Sequence, residues 1–308
     1  MKKFLLKSLL YILICFTLVS VILICFGGYA DYFYVKFTTP KAKSMIIGGS
    51  RSMQGIQPRI INEKLKELNY DLPIFNYSFT IAQAPIGAPY TASILKKLDQ
   101  TTTNGLYIIS ITPWMLSDNI EKDVDGKYRE ADDLPHNMVN VTMNPNYEYL
   151  AKNLSYFHFK GIFRQKSQTH KDGWLEESNL PKDTTAFVNW KKKQKKMLLR
   201  FTKEYKVSQR RLKSLDALIK TLNKYGQVVI VRTPIDKDFL QIENTFFQNF
   251  DSTIKKVCKE NNSPYFNFND GQNNFFYKTY DGHHIDKYGG VIFTTAVCDS
   301  IILYNNKN

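Results

Sequence analysis

The first pattern along the chain is an apolar run without a break. Leu9 to Phe26 holds no charge over eighteen residues. As a helix this run rises about 27 Å, close to the hydrocarbon thickness of a bilayer. No helical register gives it a polar face, so a membrane-crossing helix is predicted rather than a core helix. Lys2, Lys3 and Lys7 precede it, which predicts a cytoplasmic N-terminus with the bulk of the chain outside. Gly28-Tyr29-Ala30 also has the outline of a small-x-small cleavage site, so secretion after signal cleavage is the alternative. The run exceeds the ~7–15 residues usual for a signal peptide. The expected organisation is a cytoplasmic tip and anchor over 1–28, a tether over 29–43 and a globular domain over 44–308.

After the tether the pattern becomes short apolar strands alternating with helices. Ser44-Met-Ile-Ile-Gly predicts the first strand, Pro73 to Ser78 the second and Gly105 to Ile111 the third. The helix after the first strand starts near Pro58, with Ile60, Ile61, Leu65 and Leu68 on one face. The alternation then lapses. Residues 113–207 mix Pro, Asn, Asp, Lys and aromatics, which predicts an insertion with its own helices. It resumes with an amphipathic helix from Ser208 to Tyr225, whose stripe is Leu212, Leu215, Leu218, Ile219 and Leu222, stopped by Gly226. Gln227 to Arg232 predicts strand four, about Phe239 to Asn261 one helix, Pro264 to Phe268 strand five, and an apolar helix ends the chain. Apolar strands alternating with helices imply a mostly parallel sheet covered on both faces, here a flavodoxin-like three-layer α/β sandwich. Ligands bind such sheets beyond the carboxyl ends of the strands. Ser50, Thr112 to Trp114, Thr233 and the loop around Asp281 should therefore meet at one edge.

Charge and cysteine content alter this picture only locally. Residues 160–214 hold 16 Lys/Arg against 5 Asp/Glu, and the chain beyond them and the three N-terminal lysines balances 23 against 23. The net +14 thus belongs to one segment, densest at Lys191, Lys192, Lys193, Lys195 and Lys196 and flanked by Trp174 and Trp190. A solvated helix face is the ordinary explanation of such a run. The functional one is a cationic flap beside the Ser50 edge that recruits anionic polymer or lipid headgroups, with Trp190 stacking on sugar rings. Nucleic acid is a poor partner for an external domain. Cys15 and Cys25 sit in the apolar run, while Cys258 and Cys298 fall on two predicted helices without metal-binding spacing.

Two short motifs carry candidate chemistry. Ser50 follows Gly48-Gly49 at a strand-to-helix junction, where a hydroxyl can face solvent beside free backbone amides. Alone, Gly-Gly-Ser is also what a flexible turn looks like, and a serine needs a base to become a nucleophile. Asp281-Gly-His-His284 supplies one: the carboxylate accepts from one imidazole nitrogen while the other faces the serine. His283 is the competing base. A polar surface turn, or a metal site from Asp281, His283, His284 and Asp286, are the other readings. The metal reading lacks a complementary ligand cluster on the other strands, so no metal or cofactor is expected.

Together these motifs resemble the SGNH (GDSL-like) hydrolase superfamily, with a serine at the end of strand one and Asp-x-x-His before the last helix. Ile47 to Pro58, His284-Ile-Asp and Ser110-Ile-Thr-Pro-Trp114 are similar to a membrane-anchored bacterial branch associated with O-acylation of exported polysaccharide. The resemblance spans about residues 44–112 and 227–303. It implies Ser50 as nucleophile, His284 as general base and Asp281 as its orienting partner, with oxyanion or substrate contacts from Gly49, Arg51, Thr80 and Thr112. It implies an esterase or O-acyltransferase of envelope polysaccharide, working beside a multi-spanning membrane acyltransferase. The chain departs from the family pattern where Gly49 replaces the usual Asp, where Asn76 to Ile81 lacks a glycine, and where the third block lacks its Asn. Those departures motivate the alternative of an envelope binding or assembly protein that kept the fold and lost the chemistry.

Overall fold

The strands form because their side chains are apolar on both sides of the pleat. Along β1 (Ser44–Gly48) Met45 and Ile47 point to one face while Ile46 points to the other, and every residue of the strand is buried. β3 (Gly105–Ser110) and β4 (Gly226–Arg232) repeat this alternation. With β2 (Ile74–Asn76) and β5 (Tyr265–Asn267) they make a five-stranded sheet in the order β5-β4-β3-β1-β2, with every neighbouring pair parallel. A parallel sheet has no solvated face, which explains the doubly apolar strands. The computed structural model describes residues 1–124, 127–128, 135–154, 167–177, 180, 183–270, 277 and 279–307.

Helices cover both faces. One core joins Met45, Ile47, Tyr107 and Ile109 to α4 (Ala88–Lys97), α7 (Gln209–Leu222) and α9 (Phe250–Glu260). The other joins Ile46, Ile108 and Val231 to α3 (Pro58–Lys64) and α10 (Lys287–Asn305). α1 (Lys2–Ala30) precedes the sheet and is long and apolar enough to span a membrane. α2 (Ser50–Gly55) follows β1 after a single residue, Gly49.

Between β3 and β4 the chain leaves the sheet. Ser117–Asn119 pairs antiparallel with Tyr205–Val207 at the two ends of this excursion, and Ser167–Thr169 pairs with Leu175–Glu177 inside it. Stretches this short and polar give no alternation to read from sequence. The excursion also carries α5 (Tyr147–Asn153) and the 21-residue α6 (Thr184–Glu204), capped by Asp183, whose carboxylate accepts from the Thr185 amide. The expected single helix over 239–261 is two: α8 (Lys237–Phe246) and α9. Phe247 leaves the helical region (φ −128°, ψ 78°), which lets its ring and that of Phe250 pack edge-on at 5.4 Å.

Residues 29–43 hold a 3-10 turn over Tyr34–Phe37 in which Tyr34, Lys36 and Phe37 are buried. Lys36 Nζ donates to the carbonyls of Asn76 (2.7 Å) and Gly173 (2.6 Å), fixing the turn to the end of β2. Lys97 Nζ donates to the Thr39 and Val141 carbonyls (2.5 and 3.1 Å). Neither ammonium has a carboxylate within ion-pair distance among the described residues. Burial pushes each down to about 7 from an ordinary 10.5.

The unfolded chain therefore binds more protons than the native one between those values, so this penalty is relieved as pH rises. Between pH 7.5 and 9 the urea midpoint of the protein in detergent should rise, each lysine contributing up to about 1.4 kcal/mol per pH unit. Lys36→Met should flatten the slope by roughly half on this linkage. A midpoint independent of pH over that range would show that the lysines are not held neutral.

Candidate active site

The order of the strands decides where a ligand fits. β1 lies between β2 and β3, so the connections leaving β1 and β3 depart to opposite sides and open a crevice at the carboxyl edge. Ser50 sits at that point, separated from β1 by Gly49 alone. Gly48 allows the close approach: a Cβ there would meet Ser52 Oγ at 2.4 Å and the Ser110 carbonyl oxygen at 2.8 Å. Ser50 opens α2, so its amide belongs to the first-turn donors that have no intrahelical acceptor. Gly49 is extended (φ −91°, ψ −167°), and a Cβ would find nothing closer than Met115 Sδ at 3.9 Å. Its lack of a side chain is not imposed by space.

The loop before α10 brings the other partners. Gly282 has φ +101°, in the region that favours glycine, and a Cβ there would strike the Phe239 ring at 2.4 Å. The turn it allows lets Asp281 Oδ1 accept from the amides of His283 (3.2 Å) and His284 (2.9 Å). Asp281 Oδ2 lies 2.7 Å from His284 Nδ1, and His284 Nε2 lies 2.8 Å from Ser50 Oγ. Ser50, His284 and Asp281, remote in sequence, thus form one continuous hydrogen-bonded chain. Burial alone would raise the Asp281 carboxyl. The adjacent imidazole and its hydrogen bonds outweigh burial and hold it well below the usual carboxylate range.

His283 faces elsewhere. Its Nδ1 lies 3.4 Å from an Arg51 guanidinium nitrogen, and its Nε2 has no hydrogen-bond partner among the described residues. Burial, then the neighbouring His284 and Arg51, push its pKa well below 6.5, so it stays neutral. Asp281, His283 and His284 bring donor atoms within 4.8 Å of one another. Two of those donors are already spent on the 2.7 Å Asp281–His284 contact. Asp286, the fourth conceivable ligand, caps α10 by accepting from the Gly289 amide at 2.7 Å.

Arg51 is engaged beside Ser50 in a buried ion cluster. Its guanidinium bonds Glu243 Oε1 at 2.6 Å, and the Trp114 indole donates to the same oxygen at 3.0 Å. Glu243 Oε2 faces Arg232 at 3.5 Å, and Arg232 also pairs with Asp251 at 2.7 Å. This favours a salt-bridge role for Arg51 over substrate binding. Glu243 escaped sequence reasoning, although it falls on the apolar stripe Phe239, Ile242 and Phe246 of α8, where a carboxylate implies a buried partner.

No protein-family model matches this chain, and no curated protein matches it. The chemistry therefore rests on the site itself. Beside Ser50 runs a cleft of about 350 Å³, walled by Met53, Ile81, Trp114, Leu175, Met197 and Phe201. Met197, Leu198 and Phe201 come from α6, so the basic segment turns its apolar side to the site. Gly49, Arg51, Thr80 and Thr112 also line the cleft. The Thr80 hydroxyl is taken up by the Gln83 side-chain carbonyl. The Thr112 hydroxyl is buried and has no hydrogen-bond partner among the described residues. On the other side of Gln194 a second opening of about 340 Å³ reaches His284, between Trp190, Lys193, Glu177 and Tyr280. There the Tyr280 ring stacks on His284 at 5.8 Å, and Trp190 meets Tyr280 edge-on at 6.1 Å.

The five lysines divide. Lys191 bonds Asp236 at 2.5 Å, and Lys195 bonds Asp238 at 3.1 Å, fastening α6 to the start of α8. Lys192, Lys193 and Lys196 are exposed. The segment's positive excess is thus partly offset by carboxylates that lie outside it in sequence.

Removing Glu243 would leave the buried Arg51 guanidinium without its carboxylate, while Arg232 would keep Asp251. Glu243→Ala should lower stability by about 3–5 kcal/mol in urea denaturation. A loss under about 1 kcal/mol would show that this cluster does not hold the Ser50 turn.

Proposed function

We propose that the protein is a serine esterase or O-acyltransferase acting on ester-linked acyl groups of exported envelope polysaccharide, held outside the cytoplasm by α1. The observation that carries the proposal is the Ser50–His284–Asp281 chain, with contacts of 2.8 and 2.7 Å. The order β2-β1-β3-β4-β5 supports a flavodoxin-like sandwich, and α6 lining the cleft beside Ser50 supports an insertion over 113–207 at its carboxyl edge.

In this mechanism Ser50 Oγ attacks the acyl carbonyl while His284 Nε2 takes its proton. Asp281 holds the Nδ1–H and stabilises the imidazolium. The Ser50 amide and the Thr112 hydroxyl donate to the oxyanion, offsetting the missing glycine and asparagine of the family pattern. His284 then returns the proton to the leaving alkoxide, and an acyl-serine remains. Water or a sugar hydroxyl, deprotonated by His284, attacks the acyl carbon, and His284 returns that proton to Ser50 Oγ as the acyl–serine bond breaks, giving hydrolysis or transfer. The apolar cleft suits the acyl group. The opening at Trp190, Tyr280 and Lys193 suits a sugar acceptor, since aromatic faces stack on sugar rings and a cation attracts anionic polymer. A multi-spanning membrane acyltransferase fits as the source of acyl groups.

Ser50→Ala in the full-length protein should abolish fluorophosphonate labelling and cut acyl-ester turnover at least about 1000-fold. Thr112→Val should keep the labelling site and lower kcat about 100- to 1000-fold. Turnover equal in wild type and Ser50→Ala would remove the serine mechanism and favour a binding or assembly role.

Replacing Lys192, Lys193 and Lys196 together with Gln should weaken binding to anionic polysaccharide at 0.1 M salt, where the Debye length is about 10 Å, and make no difference at 1 M, where it is about 3 Å. Equal binding at low salt would return the exposed lysines to a solvating role.

A further inference from the structure

α1 is longer than the part of it that stands free. From Phe16 onward it lies against the domain. The Phe16 ring stacks on Tyr147 of α5 at 5.0 Å, and Ser20 Oγ lies 2.6 Å from the Tyr147 hydroxyl. Leu23 is 1% exposed and belongs to the main core. Gly27 lies against the Tyr34 ring, and Gly28 against the Thr169 carbonyl, so closely that a Cβ would come within 2.4 and 2.3 Å. Tyr29 donates to Gln168 at 2.6 Å, and Asp31 accepts from Tyr149 at 2.7 Å. These contacts fix the direction of the helix relative to the domain.

The free part, residues 2–15, rises only about 21 Å, against a hydrocarbon core of about 30 Å. The shortfall of about 9 Å must come from the packed part, about six residues at 1.5 Å each. Even if the hydrocarbon begins at Lys2, it extends to about residue 21, past Phe16 and Ser20. If Lys2, Lys3 and Lys7 keep to water it ends later still. Whatever touches Phe16 and Ser20 is then at lipid depth.

We propose that the domain is seated in the bilayer leaflet on its own side of the membrane, through α5 and the turn before it, with lipid acyl chains as the partner. The side chains there suit it. Val139 is 73% and Leu154 61% exposed, and Met143 is also exposed. Tyr147, with an apolar ring and a polar tip, has the character of a membrane-interface residue. The charges on α5 are paired: Lys152 bonds Glu148 at 2.8 Å, and Glu148 also accepts from the Val139 and Asn140 amides.

The test uses the full-length protein in vesicles of phosphatidylcholine brominated along its acyl chains. Leu154→Trp and Val139→Trp each add a fluorophore to the proposed seat, and Leu303→Trp adds one to the solvent side of α10 on the opposite sheet face. Expected is loss of about half of the added emission at 154 and 139, and none at 303. Equal emission in brominated and ordinary lipid at 154 and 139 overturns the proposal. A second arm pairs Ser20→Cys with Tyr147→Cys, with Cys15 and Cys25 replaced by Ala. A short bis-maleimide, which spans the gap left by the tyrosine ring where a direct disulfide could not, should cross-link α1 to α5 in the vesicles. No cross-link would mean that α1 leaves the domain in lipid, which overturns the proposal equally.

Discussion

The arrangement depends on one desolvated carboxylate. Glu243 is fully buried and is met by two guanidiniums and an indole N–H. Burying an ion without partners is prohibitive, so the four groups must be assembled together or not at all. They come from different places: Arg51 from the turn after β1, Trp114 from the turn after β3, Arg232 from the end of β4 and Glu243 from α8. Satisfying one charge therefore fixes four segments at the carboxyl edge of the sheet. The shape of the cleft follows, because Trp114 is both a donor to Glu243 and a wall beside Ser50.

The same economy governs the loop at the other end of the chain. Asp281 spends one oxygen on two backbone amides and the other on His284. The first pair shapes the turn and the second orients the ring. Gly282 makes the geometry attainable, and Phe239 of α8 closes against it. The charge cluster and the Asp281 loop thus share α8 as a common support.

Much of this was legible in the sequence, and the limits have physical causes. The strands announced themselves because a parallel sheet demands apolar residues on both faces, and few other contexts do. Ser50, Asp281 and His284 stood out because each follows a strand, where the topology leaves side chains free. Glu243 did not, since its partners are remote in sequence and its neighbours read simply as an amphipathic helix. The break between α8 and α9 was hidden because Phe246, Phe247 and Phe250 prolong the apolar pattern through it. The lysine run read as free charge because Asp236 and Asp238, which neutralise part of it, lie some forty residues away. Its apolar side, Met197, Leu198 and Phe201, was visible as residues but not as a wall of the cleft.

α6 separates two kinds of change. The groups that would make and break bonds sit on β1, the Asp281 loop and their buried supports, where almost any substitution disturbs charge or packing. The cleft wall contributed by α6 is carried by a few aliphatic and aromatic side chains on a helix outside the five-stranded sheet. A lineage could enlarge or narrow that wall by single substitutions at Met197 or Phe201 without passing through a form that has lost its chemistry. Under selection for a different ligand, variation should gather on this helix first, while the sheet edge beneath it stays constant.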